Sequence, residues 1–304
     1  MTAELPEIPP AQHQDRIIRG IICALIAYLM FGIMQAGAKM LTETHSVIEV
    51  AFYRNLIAFI PIALWISIGK RWHILKVKNP KIVIFRGIFG TLGLMITFLT
   101  FHYLPMATAT VLLFTATIFT PALAFFVLKE HIGWHRWSAI LIGLIGVILM
   151  IGPTGEASLF GICLAILTAF SWAVVNITLR YLKTEHPLSV TFSFITCGVI
   201  MCGLCMPFVA HTPAPDELLL FLMVGISGGI GQFTLTTAFS SAPASLVSMF
   251  NYTGLLWATL FDILIWNFTP GITVFIGGGI ILAANLYIIH REHLIARRNK
   301  LLQL

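Results

Sequence analysis

The feature that most constrains this chain is the recurrence of apolar blocks of about 20 residues, cut by polar joints of a few residues, along almost its whole length. A helix needs about that many residues to cross roughly 30 Å of hydrocarbon, and a backbone in lipid must satisfy its own hydrogen bonds. Ten blocks qualify, near residues 18–39, 47–68, 82–101, 106–128, 136–152, 158–180, 187–209, 218–239, 244–266 and 271–290. The joints carry breakers, among them Asn79-Pro80, Gly152-Pro153, Pro213-Ala214-Pro215 and Pro270-Gly271. With 58% hydrophobic and 10% charged residues, the composition excludes a soluble globule, for which about 25% charged is usual. The expected fold is an all-α integral membrane protein of ten transmembrane helices.

The net charge of +6 is spread over joints and forms no continuous basic face, which argues against a nucleic-acid partner. Its placement encodes topology. Lys70, Arg71, Lys76, Lys78, Lys81, Lys129, Arg136, Arg180, Lys183 and the tail residues Arg291, Arg297, Arg298 and Lys300 fall on one predicted side, with Arg16 and Arg19. Only Lys39 falls on the other. The positive-inside rule then puts both termini in the cytoplasm of a multi-pass inner-membrane protein. Residues 1–15 are polar and expected to be disordered, and 291–304 form a basic tail. No small-residue cleavage site follows the first span, so it is expected to be retained. Cys23, Cys163, Cys197, Cys202 and Cys205 all lie in apolar spans, which disfavours a disulfide framework.

Sliding the chain by 138 residues aligns Gly87, Gly90 and Gly93 with Gly225, Gly228 and Gly231, and Pro105 and Thr115 with Pro243 and Thr253. An offset of 141 pairs Gln35 with Asn176. The chain reads as a duplicated five-helix unit, 16–153 and 156–290. Because five is odd, the second copy enters the membrane in the opposite sense, an inverted repeat that places a substrate site between the halves. The glycine runs provide small faces for close helix packing.

Leu104-Pro-Met-Ala-Thr-Ala-Thr-Val, Pro121 through Glu130 and Ile142 through Pro153, with Ser240-Ser-Ala-Pro-Ala-Ser245 and Gly277 through Ala284 in the second half, resemble the ten-helix EamA-type members of the drug/metabolite transporter superfamily. His45 through Arg54, Phe85-Arg-Gly and Trp134-His-Arg-Trp137 look most like its S-adenosylmethionine transporter subgroup. The resemblance implies a carrier of small organic metabolites. It has one departure: the acid that closes span 4, Glu130, has Phe268 at the matching place in span 9, with Asp262 earlier on the same span.

Charged groups within a bilayer are costly and are functional candidates by default. Glu49, Glu130 and Asp262 lie near span ends, and Arg86 about one turn inside span 3 is expected to reach the interface. These are assigned structural or coupling roles. Arg54, two turns inside span 2, is expected to face the interior, either docking a carboxylate or phosphate or pairing with Asp262 or Glu49. Tyr28, Gln35, Trp172, Asn176, Gln232, Asn251 and Tyr252 complete the candidate substrate site, amides and aromatics suited to a zwitterionic or amphipathic solute.

His131-x3-His135 and His290-x-x-His293 lack the further ligands a metal needs, and no phosphate loop or nucleophile elbow is present. The expected protein is a secondary transporter, no enzyme, without cofactor or metal, acting on a small molecule as a monomer or homodimer. The alternatives are a lipid or lipid-linked flippase and a non-transporting membrane scaffold.

Overall fold

The computed structural model describes residues 10–116, 158–182, 185–209, 211–241 and 250–301, with single positions between 119 and 149 and at 247. The described residues are helical or in joints, without strands. They give α1 (Pro10–Leu41), α2 (Val47–Ile68), α3 (Pro80–Tyr103), α4 (Met106–Leu113), α5 (Leu159–Tyr181), α6 (Pro187–Val209), α7 (Pro215–Ser241), α8 (Thr253–Trp266) and α9 (Ile272–Leu301). Among these, α1, α2, α3, α5, α6 and α7 contain the six stretches long and apolar enough to cross a membrane. Their outward faces carry large exposed apolar side chains such as Ile68, Leu204 and Phe208, as a lipid-facing surface requires. Glu130 lies outside the described residues.

Helix starts follow local chemistry. Ser46 accepts the Glu49 N–H at 3.2 Å to cap α2, and prolines open α3, α6 and α7, where a missing N–H costs nothing. Two boundaries differ from expectation. α1 begins at Pro10, inside the segment expected to be disordered, because no breaker follows that proline. α9 continues to Leu301, so the last span and most of the basic tail are one helix.

The halves interdigitate. α1 packs chiefly on α7 and α3 on α5, so the first helix of each sequence half lies against the third helix of the other. The second helices, α2 and α6, pack on each other, as do α4 and α8. Gly90 and Gly228 permit this approach: a Cβ on Gly90 would lie 3.2 Å from the Phe194 ring, and one on Gly228 would lie 2.6 Å from Arg54 Nε. One core centres on Phe31, Phe98 and Phe194, and another on Phe101, Leu112 and Phe114.

Contacts gather the joints at two ends. At the first end, Lys39 Nζ donates to Leu104 O at 3.1 Å and Thr44 Oγ1 to Glu217 Oε1 at 3.0 Å, joining 42–46, 104–105 and 211–217. At the opposite end, Ser189 Oγ donates to Ile74 O, joining 72–79 to 185–189. This alternation agrees with the joints expected to share a face.

Among the described residues, α4 and the segment leading into α8 are interrupted, although the sequence pattern predicts continuous spans over 106–128 and 244–266. α4 ends at Leu113 in a turn at Phe114 and Thr115, and α8 starts only at Thr253, after a 3-10 turn at Phe250–Tyr252. Both breaks carry the same hydrogen bond, Thr115 Oγ1 to Leu112 O and Thr253 Oγ1 to Phe250 O, each 2.7 Å. The hydroxyl takes up a carbonyl beside each interruption, a local bond that hydrophobic periodicity does not register.

Candidate functional site

Between the two helix breaks lies a cavity of about 100 Å³. α1 contributes Tyr28, Phe31 and Gln35, and α5 contributes Trp172 and Asn176. The broken segments add Thr110, Leu113, Phe114 and Ala116 on one side and Asn251 and Gly254 on the other, and α7 closes it with Leu235 and Phe239. Irregular backbone at membrane depth is tolerated where it lines a cavity, so the breaks and the cavity explain one another.

The expected residues Tyr28, Gln35, Trp172, Asn176 and Asn251 therefore meet at one place. Trp172 is oriented by its indole N–H, which donates to Thr97 Oγ1 at 3.2 Å. Among the described residues no side-chain hydrogen bond engages Gln35, Asn176 or Asn251, leaving their amides open to a solute. Tyr252 sits just behind the wall, edge-on to Phe114 at 5.1 Å between centroids. Gln232 is half-buried on α7 outside the lining. The helix-break residues went unrecognised in the sequence, although the Thr115/Thr253 match was the available signal.

A larger cleft, about 440 Å³ between α2 and α7, is walled by apolar side chains such as Ile57, Ile62, Trp65 and Phe233. It offers no polar side chain to orient a polar solute, so the smaller polar cavity is the better candidate.

Each end of the bundle is tied across the two halves. At the first end His45, 7% exposed, donates through Nε2 to Glu217 Oε2 at 2.9 Å, and its Nδ1 lies 3.1 Å from Glu49 Oε2. The second contact is off hydrogen-bond geometry and acts as a charge interaction. Burial opposes a charge on this imidazole, but the contacts with Glu217 and Glu49 outweigh it and hold its pKa above the ordinary value. Glu49, fully buried, also accepts the His211 N–H at 3.3 Å. At the opposite end the Glu185 carboxylate accepts the backbone N–H groups of Lys78 at 2.9 Å and Asn79 at 3.0 Å. Asn79 and Glu217 are related by the same 138-residue offset as the glycine runs, so one partner of each tie occupies a matching position.

The charged candidates are sorted differently from expectation. Asp262 is fully buried and takes the N–H groups of Met106 at 3.0 Å and Ala107 at 2.7 Å, capping α4 after Pro105. Arg54 pairs with neither Asp262 nor Glu49; its Nη1 donates to Asn55 Oδ1 at 2.8 Å and its Nη2 to Gly228 O at 2.9 Å. Arg86 does not reach the interface. It is 3% exposed, its guanidinium 4.8 Å from the Phe194 ring centroid, because α3 is enclosed by α5 and α6 at that level.

A polytopic helical protein with a small cavity lined by amides and aromatic rings, its joints cross-linked at both ends, has the anatomy of a membrane transporter. Sequence comparison agrees and is more specific. The EamA-like transporter family model matches residues 18–152 and again 159–289, and the chain belongs to that family, within the drug/metabolite transporter superfamily. It is 31% identical over 281 residues to the S-adenosylmethionine uptake transporter of Rickettsia prowazekii, covering 90% of this chain and 94% of that one. It is 24% identical over 274 residues to the pseudopaline exporter of Pseudomonas aeruginosa, covering 89% and 95%. A solved crystal structure with 17% identity superposes with a TM-score of 0.64 over 94% of this chain and 98% of that one, a likeness of fold.

Proposed function

We propose that this transporter moves a small zwitterionic or amphipathic organic metabolite, amino-acid- or nucleoside-derived in the manner of S-adenosylmethionine, across the inner membrane by alternating access. In this reading it is a secondary carrier of ten helices in two inverted repeats, with both termini cytoplasmic. The observation that carries it is the cavity between the Thr115 and Thr253 breaks, lined by unengaged amides and aromatic rings. Support for the repeats comes from the double family match and the reciprocal packing of α1 on α7 and α3 on α5.

At about 100 Å³ the cavity is smaller than the roughly 300 Å³ at which ligand pockets begin, so loading requires one end to open. The ties at His45–Glu217 and at Glu185–Asn79 are the contacts that must break, one at a time, for the solute to enter on one side and leave on the other. A flippase would need polar groups in a lateral opening, and the apolar cleft between α2 and α7 supplies none.

The experiment is uptake of labelled S-adenosylmethionine and a panel of amino-acid and nucleoside derivatives into proteoliposomes, with a pH gradient imposed and removed. Saturable uptake of at least one solute, lowered severalfold or more by Gln35→Ala and Asn176→Ala, is expected. Uptake indifferent to both substitutions would overturn the cavity assignment, and none for the whole panel would overturn the solute class.

A further inference from the structure

We propose that Arg54, Arg86 and Phe194 form an oxyanion subsite beside the cavity, which takes a carboxylate or phosphate group of the transported solute. The proposal rests on the transport reading and adds to it the charge that the solute must carry.

Arg54 reaches in from α2 and Arg86 from α3, and both guanidiniums lie over the same ring, Phe194 of α6, at 5.6 and 4.8 Å from its centroid. The two residues are 1% and 3% exposed. Arg54 spends two nitrogens on neutral acceptors, Asn55 Oδ1 and Gly228 O. Its Nε, together with Nε and Nη1 of Arg86, has no acceptor among the described residues. The buried carboxylates of the described residues are engaged elsewhere: Glu49 at His45 and the His211 N–H, Asp262 at the start of α4, Glu185 at Lys78 and Asn79. The two cations thus repel each other in a water-poor interior, and an aromatic ring offsets only a small part of that cost. A single oxyanion neutralises both charges and offers acceptors to all three open nitrogens.

Packing does not require these charges. Gly90 closes against Phe194 as Gly228 closes against Arg54, so the matching place in the other half is filled by a phenyl ring. The site lies one residue layer from the cavity, whose lining includes none of the three. Gly228 packs on Met34, whose chain neighbour Gln35 lines it, and Gly90 packs on Val175, next to Asn176. A solute with its body among the amides and rings would extend its anionic group past Met34 and Val175 to reach the guanidiniums.

The test uses the purified full-length chain in detergent, with sodium acetate and inorganic phosphate as free-anion probes, chloride at equal ionic strength as reference, and phosphatidylglycerol as a headgroup arm. A saturable rise of the unfolding midpoint with acetate or phosphate is expected for the unsubstituted chain. Arg54→Gln and Arg86→Gln should each weaken the apparent affinity at least tenfold, and Arg86→Lys, which keeps the charge but loses the planar donors, should weaken it less. The double variant R54Q/R86Q should unfold in chloride no earlier than the unsubstituted chain, since it sheds two uncompensated buried charges. No saturable shift, or an equal shift in R54Q/R86Q, would overturn the proposal. A shift with phosphatidylglycerol alone would assign the pair to a lipid headgroup and overturn it as well. Binding is read here without transport, so an oxyanion shift in a preparation that takes up no solute would refute the transport reading and leave the arginine site standing.

Discussion

Breaking one tie should open one end of the carrier, and Glu185→Ala is the sharpest such perturbation. The carboxylate is 7% exposed and holds two backbone donors, Lys78 N–H at 2.9 Å and Asn79 N–H at 3.0 Å. Hydrogen bonds to a charged group contribute about 1.5–3 kcal/mol each. The released amides sit at the end of the bundle and regain water, so about half of the total is lost, or about 2 kcal/mol. At about 1.4 kcal/mol per factor of ten, the population open at the 72–79 end should rise about thirtyfold. The assay is labelling of Asn176→Cys, in a chain with its five native cysteines replaced, by a membrane-impermeant maleimide applied to each face of proteoliposomes. Labelling should accelerate from the face that carries Lys78 and Asn79 and slow from the other. Glu185→Gln, which keeps one acceptor oxygen, should fall between. Unchanged rates on both faces, or acceleration from the face that carries His45, would refute the role of this contact as a gate.

Two further outcomes follow from the charged groups. Asp262→Asn removes the charge and leaves one of the two α4 amides without an acceptor, so it should destabilise the protein by about 2–4 kcal/mol; a thermal midpoint in detergent within a degree of the unsubstituted chain would argue that α4 starts without this cap. The raised pKa of His45 stabilises the closed first end fully below the ordinary histidine value of about 6.5, and that contribution is lost as pH rises through the higher folded pKa. The groups facing it are Glu49 and Glu217, with exposed His211 beyond at 3.9 Å from Glu49. The stability difference between the unsubstituted chain and His45→Gln, followed from pH 5.5 to 8.5, should therefore shrink with rising pH, and a difference that grows would reverse the assigned sign.

Much of the candidate cavity's lining was legible in the sequence. Gln35 and Asn176 were paired through the repeat, and with Tyr28, Trp172 and Asn251 they do line one cavity, because polar and aromatic groups inside lipid-length apolar blocks have few other places to go. The depth of Arg54 followed from counting turns along span 2. The same counting failed for Arg86. Distance from a helix end says how far a long side chain must reach to find water, and says nothing of whether neighbouring helices block the way. The breaks at Thr115 and Thr253 were invisible to hydropathy because a 3-10 turn in an apolar span keeps the same composition as the helix that it interrupts.

By itself, the sequence determined the class of the molecule: a chain of lipid-length apolar blocks, its positive charges gathered on one predicted side, with glycine and proline recurring 138 residues apart. Those are properties of composition and period, and the solvent enforces them. Only the tertiary structure decided which buried charges have partners. It gave Asp262 to α4, Glu49 to His45 and Glu185 to the loop before α3, and left Arg54 and Arg86 facing one aromatic ring. Pairing depends on distances of about 3 Å between side chains far apart in the chain, and no one-dimensional pattern specifies them.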